Sequence, residues 1–95
     1  DYNELFVIKI VGDSMYPTFQ GGNFLVIKKA EIDYLKWGEP YVLITEDGEL
    51  LKRVFSHTEK NKLVLKSDNP QYSEQTISVS QVNSFWIIKG LITKI

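Results

Sequence analysis

Hydrophobic positions along this chain fall in short runs separated by turn-forming residues, a pattern that predicts strands rather than helices. Leu5-Phe6-Val7-Ile8-Lys9-Ile10-Val11 is apolar at six of seven positions, which predicts a strand covered on both faces. Gly21-Gly22 turns the chain into a second run, Phe24-Leu25-Val26-Ile27, closed by Lys28-Lys29. Residues 30–37 are weakly patterned, a single helical turn or a loop, ended by Gly38 with Pro40 just beyond. Tyr41-Val42-Leu43-Ile44-Thr45 is a third strand. Asp47-Gly48 then gives a hairpin signal, and Leu50-Leu51-Lys52-Arg53-Val54-Phe55 returns.

Residues 56–61 make a polar turn before the short strand Lys62-Leu63-Val64-Leu65-Lys66. Ser67-Asp68-Asn69-Pro70 has the side chains of a turn, and Thr76-Ile77-Ser78-Val79 alternates as a half-buried strand should. The last strand, residues 84–95, is interrupted by Gly90, which predicts a bulge or a sharp bend. Short strands at close spacing, with no repeat, linker or long amphipathic helix, predict one mostly-β domain over residues 1–95. It would be a partly closed barrel or packed sheets of short strands. The apolar Phe85-Trp86-Ile87-Ile88 segment is the expected exposed edge, available to pair with a second copy.

Composition narrows the function classes. The 43% hydrophobic content and 13% aromatics belong to a folded chain. A net charge of -1, with basic residues only in short clusters, gives no direct footprint for nucleic acid. The absence of cysteine removes disulfides, thiolate nucleophiles and thiolate metal sites, and suits a reducing compartment. One histidine cannot build a zinc site from histidines alone, so neither metal nor cofactor is expected. No apolar run approaches the roughly 18 residues of a membrane span, so the chain is expected to be soluble and cytoplasmic. It opens at Asp1 without an initiator methionine and is expected to be a fragment or a processed product.

The candidate chemistry centres on Ser14, in the turn Gly12-Asp13-Ser14-Met15 that follows the first strand. A serine there is displayed with neighbouring backbone N–H groups that could stabilise an oxyanion. His57, in the charged turn Ser56-His57-Thr58-Glu59, is better read as a solvent-exposed residue than as its base. Glu46, Asp47 and Glu49 are explained by the hairpin tip. Lys52 is the better base, because alternation puts it on one strand face with Leu50 and Val54. An ordinary lysine is neutral only about once in 2,500 molecules at pH 7, and lowering its pKa to about 7 takes roughly 4.6 kcal/mol. Burial can supply that much. A strand lysine can also snorkel to water, and Gly-Asp-Ser is also an ordinary turn, so residue types alone leave both readings open.

Several stretches together resemble the S24 peptidase family, which includes the LexA repressor, lambda-type phage repressors and the UmuD proteins. They are Gly12-Asp13-Ser14-Met15-Tyr16-Pro17-Thr18, Gly21-Gly22-Asn23-Phe24-Leu25-Val26, Leu51-Lys52-Arg53-Val54, Leu65-Lys66-Ser67-Asp68-Asn69-Pro70-Gln71-Tyr72 and Ile88-Lys89-Gly90. They span nearly the whole chain in the family's order. The resemblance implies a LexA- or signal-peptidase-like fold and self-cleavage by a serine–lysine dyad, with Ser14 as nucleophile and Lys52 as general base. Asp13, Ser14 and Met15 would supply the oxyanion site and the cleft wall. It further implies a homodimer and a helix-turn-helix DNA-binding domain upstream that contacts operator DNA. Cleavage of the linker between the two would be promoted by a RecA filament on single-stranded DNA.

Two departures stand out. Asn23 occupies a position where the family usually has aspartate. The self-cleavage segment would lie upstream of the serine strand, where this chain has only a few residues. Signal peptidases share a Ser-Met-x-Pro-Thr pattern but need a membrane anchor, and the Ser67-Asp68-Asn69 stretch fits the repressor branch better. The expectation is therefore the peptidase and dimerisation domain of a repressor active in the SOS or prophage-induction response. The alternatives are a non-cleaving dimerisation module controlled by a separate protease or antirepressor, and a UmuD-like polymerase accessory protein.

Overall fold

The computed structural model describes residues 4–94 and contains seven strands. These are β1 (Phe6–Lys9), β2 (Phe24–Ala30), β3 (Pro40–Thr45), β4 (Gly48–Ser56), β5 (Lys62–Lys66), β6 (Gln75–Ser78) and β7 (Val82–Ile92). Single 3-10 turns at Ile32–Tyr34 and Val79–Gln81 are the only helical segments among the described residues. Every strand pair is antiparallel, and the strands form one open sheet in the order β1-β2-β7-β3-β4-β5-β6. The expected mostly-β architecture of short strands is therefore present, as a sheet that does not close on itself.

Both faces of the sheet's middle are covered, and residue parity decides which residue goes where. Tyr41 and Leu43 of β3, Val54 of β4, Leu63 and Leu65 of β5 and Phe85 of β7 join Leu35 in one core. The alternate residue Val42 turns the other way and packs with Leu25, Ile27 and Ile10, bordered by Ile44, Leu51, Trp86 and Ile88. Successive side chains of β3 and β7 thus feed two different cores, which explains why residues 41–44 and 85–88 are unbroken apolar runs.

Two expectations about edges are overturned. Phe85-Trp86-Ile87-Ile88 is interior: β7 is hydrogen-bonded to β2 on one side and β3 on the other, so its backbone cannot accept a second copy. The free edges belong to β1 and β6. Nor is β1 covered on both faces; Phe6 is 47% and Val7 56% exposed. Phe6 meets Trp86 edge-on, with ring centroids 5.4 Å apart, and Ile10 is the first residue of the run to be buried. Lys28 and Lys29 also lie inside β2 rather than at its end, paired with Ile87 and Trp86.

The turns lie where their residues predict them. The third and fourth strands form the expected hairpin, Thr45 pairing with Gly48 across Glu46-Asp47, and Gly48 takes the positive φ of 115° that such a turn demands. Near Gly90 the β2–β7 register shifts, Val26 opposing Gly90 and Ile27 opposing Ile88, so Lys89 is the extra residue of a bulge.

Candidate active site

Residues 11–23 cap the β1–β2 hairpin, and Ser14 lies in their first turn. Pairing continues past the strands, Ile10 N–H donating to Asn23 O and Gly22 N–H to Ile10 O, so the cap is anchored at its base. Gly12 adopts φ +83°, which only glycine takes without strain, and starts the turn. Tyr16 N–H then donates to Asp13 O and Phe19 N–H to Met15 O. The Tyr16–Pro17 peptide is cis. Ser14 is half-buried, and among the described residues its hydroxyl has no hydrogen-bond partner. The N–H groups of Ser14 and Met15 likewise donate to no protein acceptor among the described residues, which leaves two adjacent donors beside the hydroxyl.

Gly21 is needed for another reason. A Cβ there would lie 2.7 Å from the carbonyl oxygen of Gly12, and that oxygen is backbone and cannot swing away. Gly21→Ala is expected to destabilise the protein by about 1–3 kcal/mol by forcing the cap apart. Urea unfolding checks this, and an unchanged midpoint would count against the close approach.

Lys52 comes from the far side of the sheet. It sits in β4 opposite Tyr41 and shares a face with Leu50 and Val54, which pack into the first core. Only 8% of the residue is exposed, and burial pulls the ammonium's pKa below that of an ordinary lysine. Its Nζ donates to Ser67 Oγ at 2.7 Å and lies 5.3 Å from the centroid of the Tyr72 ring. No hydrogen bond joins Nζ to Ser14 Oγ. Ser67 was not singled out from the sequence, although a signal was present. Arg53 pairs with Lys66 and Val54 with Leu65, so continuing the β4–β5 register by one step sets Ser67 opposite Lys52.

Residues 67–72 also clamp the serine turn. Asn69 N–H donates to Ser14 O at 2.9 Å and Asn69 Nδ2 to Asp13 O at 3.0 Å. Asp68 N–H is directed at the sulfur of Met15, 3.3 Å away, and Tyr72 Oη donates to Asp13 Oδ1. Thr18 Oγ1 donates to Asp68 Oδ2. Asp68 is in turn held by a forked pair from Arg53, Nε to Oδ1 at 2.7 Å and Nη2 to Oδ2 at 3.1 Å. The Arg53 hydrogen bond keeps the Asp68 carboxyl below its usual range and raises the guanidinium's own pKa. Each member of the Ser-Asp-Asn-Pro-Gln-Tyr stretch with a polar side chain, Gln71 excepted, thus bonds to a residue of the serine turn or to Lys52 or Arg53.

The two parts face each other across a cleft of about 250 Å³ lined by residues 10–15, 49–52 and Tyr72. Ser14 and Lys52 both line it, as do Asp13 and Met15, though Met15 is only 2% exposed and contributes an apolar floor. A smaller pocket of about 60 Å³ adjoins, walled by Ile8, Ile10, Leu25, Val42 and Leu51 with Lys9 and Glu49 beside them. The other candidates are elsewhere. His57 Nδ1 accepts Glu59 N–H within its own turn. Glu46 and Asp47 line a separate cavity at the hairpin tip, although Glu49 reaches the cleft. Asn23 Oδ1 accepts Lys94 N–H, which ties the start of β2 to the residues after β7. Among the described residues no group of acidic or histidine side chains could hold a metal, and no helix is long and apolar enough to cross a membrane.

An unengaged hydroxyl, a buried amine and two free backbone donors thus line one cleft. Residues 1–91 match the family model described as Peptidase S24-like. No curated protein matches the chain.

Proposed function

Since this chain belongs to the Peptidase S24-like family, we propose that it is a self-cleaving serine peptidase domain of a repressor-type regulator. Ser14 is the nucleophile and Lys52 the general base. The observation that carries this is the meeting of a half-buried, unengaged serine with a buried lysine in one cleft. The substrate is a peptide linker on the N-terminal side of the same polypeptide. An upstream DNA-binding domain, self-association and induction by a RecA filament go with it as the family resemblance implies.

The chemistry follows from the donors and acceptors present. A neutral Lys52 amine has two N–H donors and one lone pair. One N–H is held by Ser67, which leaves the lone pair to take the proton of Ser14 as its oxygen attacks the peptide carbonyl. The oxyanion develops against the free N–H groups of Ser14 and Met15. Lys52, now an ammonium, returns the proton to the departing amine, and the C–N bond breaks to leave an acyl-serine. Water then attacks that ester as Lys52 takes its proton. The Lys52 ammonium gives that proton to Ser14 Oγ as the ester C–O bond breaks, which releases the acid and restores both residues. No step calls on a metal or cofactor.

The pH dependence has a definite sign. Burial lowers the Lys52 pKa, so the neutral, active form gains population as pH rises and saturates earlier than for a free lysine. Below that pKa the rate of self-cleavage should rise about tenfold per pH unit and level off before the ordinary lysine value of about 10.4. Full-length protein held between pH 6 and 11 and followed by gel checks this. A parent protein that stays as intact as Ser14→Ala at every pH would sink the proposal.

A further inference from the structure

The Tyr72 ring forms one wall over the lysine. Its hydroxyl is engaged elsewhere, donated to Asp13 Oδ1 on the serine turn, and that carboxylate raises the phenol's pKa and keeps it protonated. What remains to face Lys52 is the ring's π surface, with Nζ 5.3 Å from its centroid. A π face attracts an ammonium and does little for a neutral amine. Burial of the same nitrogen does the reverse. Two opposed influences therefore act on one atom, and the ring is held in place from its far end.

The remaining polar groups around Lys52 are few. Asp13 and Ser14 face it from the serine turn, with the Asp13 carboxylate bonded to Tyr72. Glu49 lines the cleft from the start of β4. Tyr41, opposite in β3, turns its hydroxyl to Lys36 N–H. Ser67 accepts from Nζ, and Asp68 is held by Arg53. None of these covers the ammonium with a ring face.

We propose that Tyr72 is a positioning residue whose ring face stabilises the Lys52 ammonium and so sets the pH at which the base becomes available. The proposal rests on Lys52 being the base, and its test is built so that the two can fail separately. Protein carrying Ser14→Ala is labelled with [ε-13C]lysine and titrated by NMR, the Lys52 signal being identified by its loss in Lys52→Met. The midpoint of that protein, low or ordinary, bears on the base assignment alone.

The Tyr72 variants bear on the ring. Tyr72→Leu keeps an apolar cover but removes the π face, and is expected to lower the Lys52 midpoint by roughly half a unit to one and a half units. Tyr72→Phe keeps the face while losing the bond to Asp13, and is expected to titrate closer to the Tyr72 parent than the leucine variant does. With Ser14 restored, the pH–rate profile of Tyr72→Leu should move to lower pH by the same amount. Tyr72→Met replaces the leucine variant should the latter lose its dispersed amide spectrum. Equal midpoints in the leucine and phenylalanine variants would overturn the proposal. So would a leucine midpoint above the parent's, since the ring would then act only by excluding water.

Discussion

Lys52→Arg should fold normally and fail to cleave at any pH up to 11. Arginine keeps a positive charge and hydrogen-bond donors for Ser67, but its guanidinium does not deprotonate in this range. Lys52→Met should be equally inactive for the opposite reason, having the stem of a lysine and no basic nitrogen. Loss of a positioned general base costs a factor of about 10²–10⁴ in rate, and Ser14→Ala removes the covalent route as well. In the proposed mechanism the two groups act as a unit, so the double variant should be no worse than Ser14→Ala alone. Stability separates this from simple damage. Lys52 is buried among Leu50, Val54 and Tyr41, so replacing its ammonium with a thioether relieves a desolvation cost while losing one hydrogen bond to Ser67. Urea midpoints close to the parent's are expected for Lys52→Met. Cleavage by Lys52→Arg at a rate near the parent's would remove Lys52 from the role.

Leu43→Ala should cost about 3 kcal/mol, a large share of the roughly 5–15 kcal/mol that holds a domain of this size. Leu43 is fully buried in the middle of β3, between Leu50 on β4 and Phe85 on β7, and neither neighbour belongs to a loop that could collapse into the space. For a domain of fewer than about 100 residues that corresponds to a fall of roughly 12–24 °C in Tm. Val7→Ala is the matched control: Val7 is 56% exposed on the edge strand, and its truncation should cost well under about 1 kcal/mol. Calorimetry of the two variants checks the contrast, and equal losses would mean that β1 is covered in solution.

The difference between Leu43 and Val7 also marks the limit of what the sequence carried. Both sit in apolar runs, yet it is the run of Val7 that predicts a strand covered on both faces. An apolar run reports only that a strand is apolar on both sides; strand order decides whether anything lies against it. That order depends on long-range pairing. Hence the apolar pattern predicts an edge at β7, which lies between β2 and β3, and a buried strand at β1, which borders the sheet. Local signals fared better because their causes are local: Asp47-Gly48 marked a hairpin and Gly90 a bulge. The placement of Lys52 on the Leu50–Val54 face followed from parity within one strand, and the burial pattern agrees. Ser67 was missed because finding it needs a register count across two strands, a step that single-strand patterning never takes.

The clamp on the serine turn spans great lengths of chain: Thr18 reaches Asp68, 50 residues on, and Asp13 reaches Tyr72, 59 residues on. Closing so long a loop is slow compared with forming the β1–β2 hairpin that carries the turn. A chain leaving the ribosome therefore exposes its serine first, its lysine later, and the residues that lock the two sides together later still. The two sides of the cleft are thus locked together only when most of the sheet is in place, and under the proposed function an unfinished molecule would lack the assembled pair.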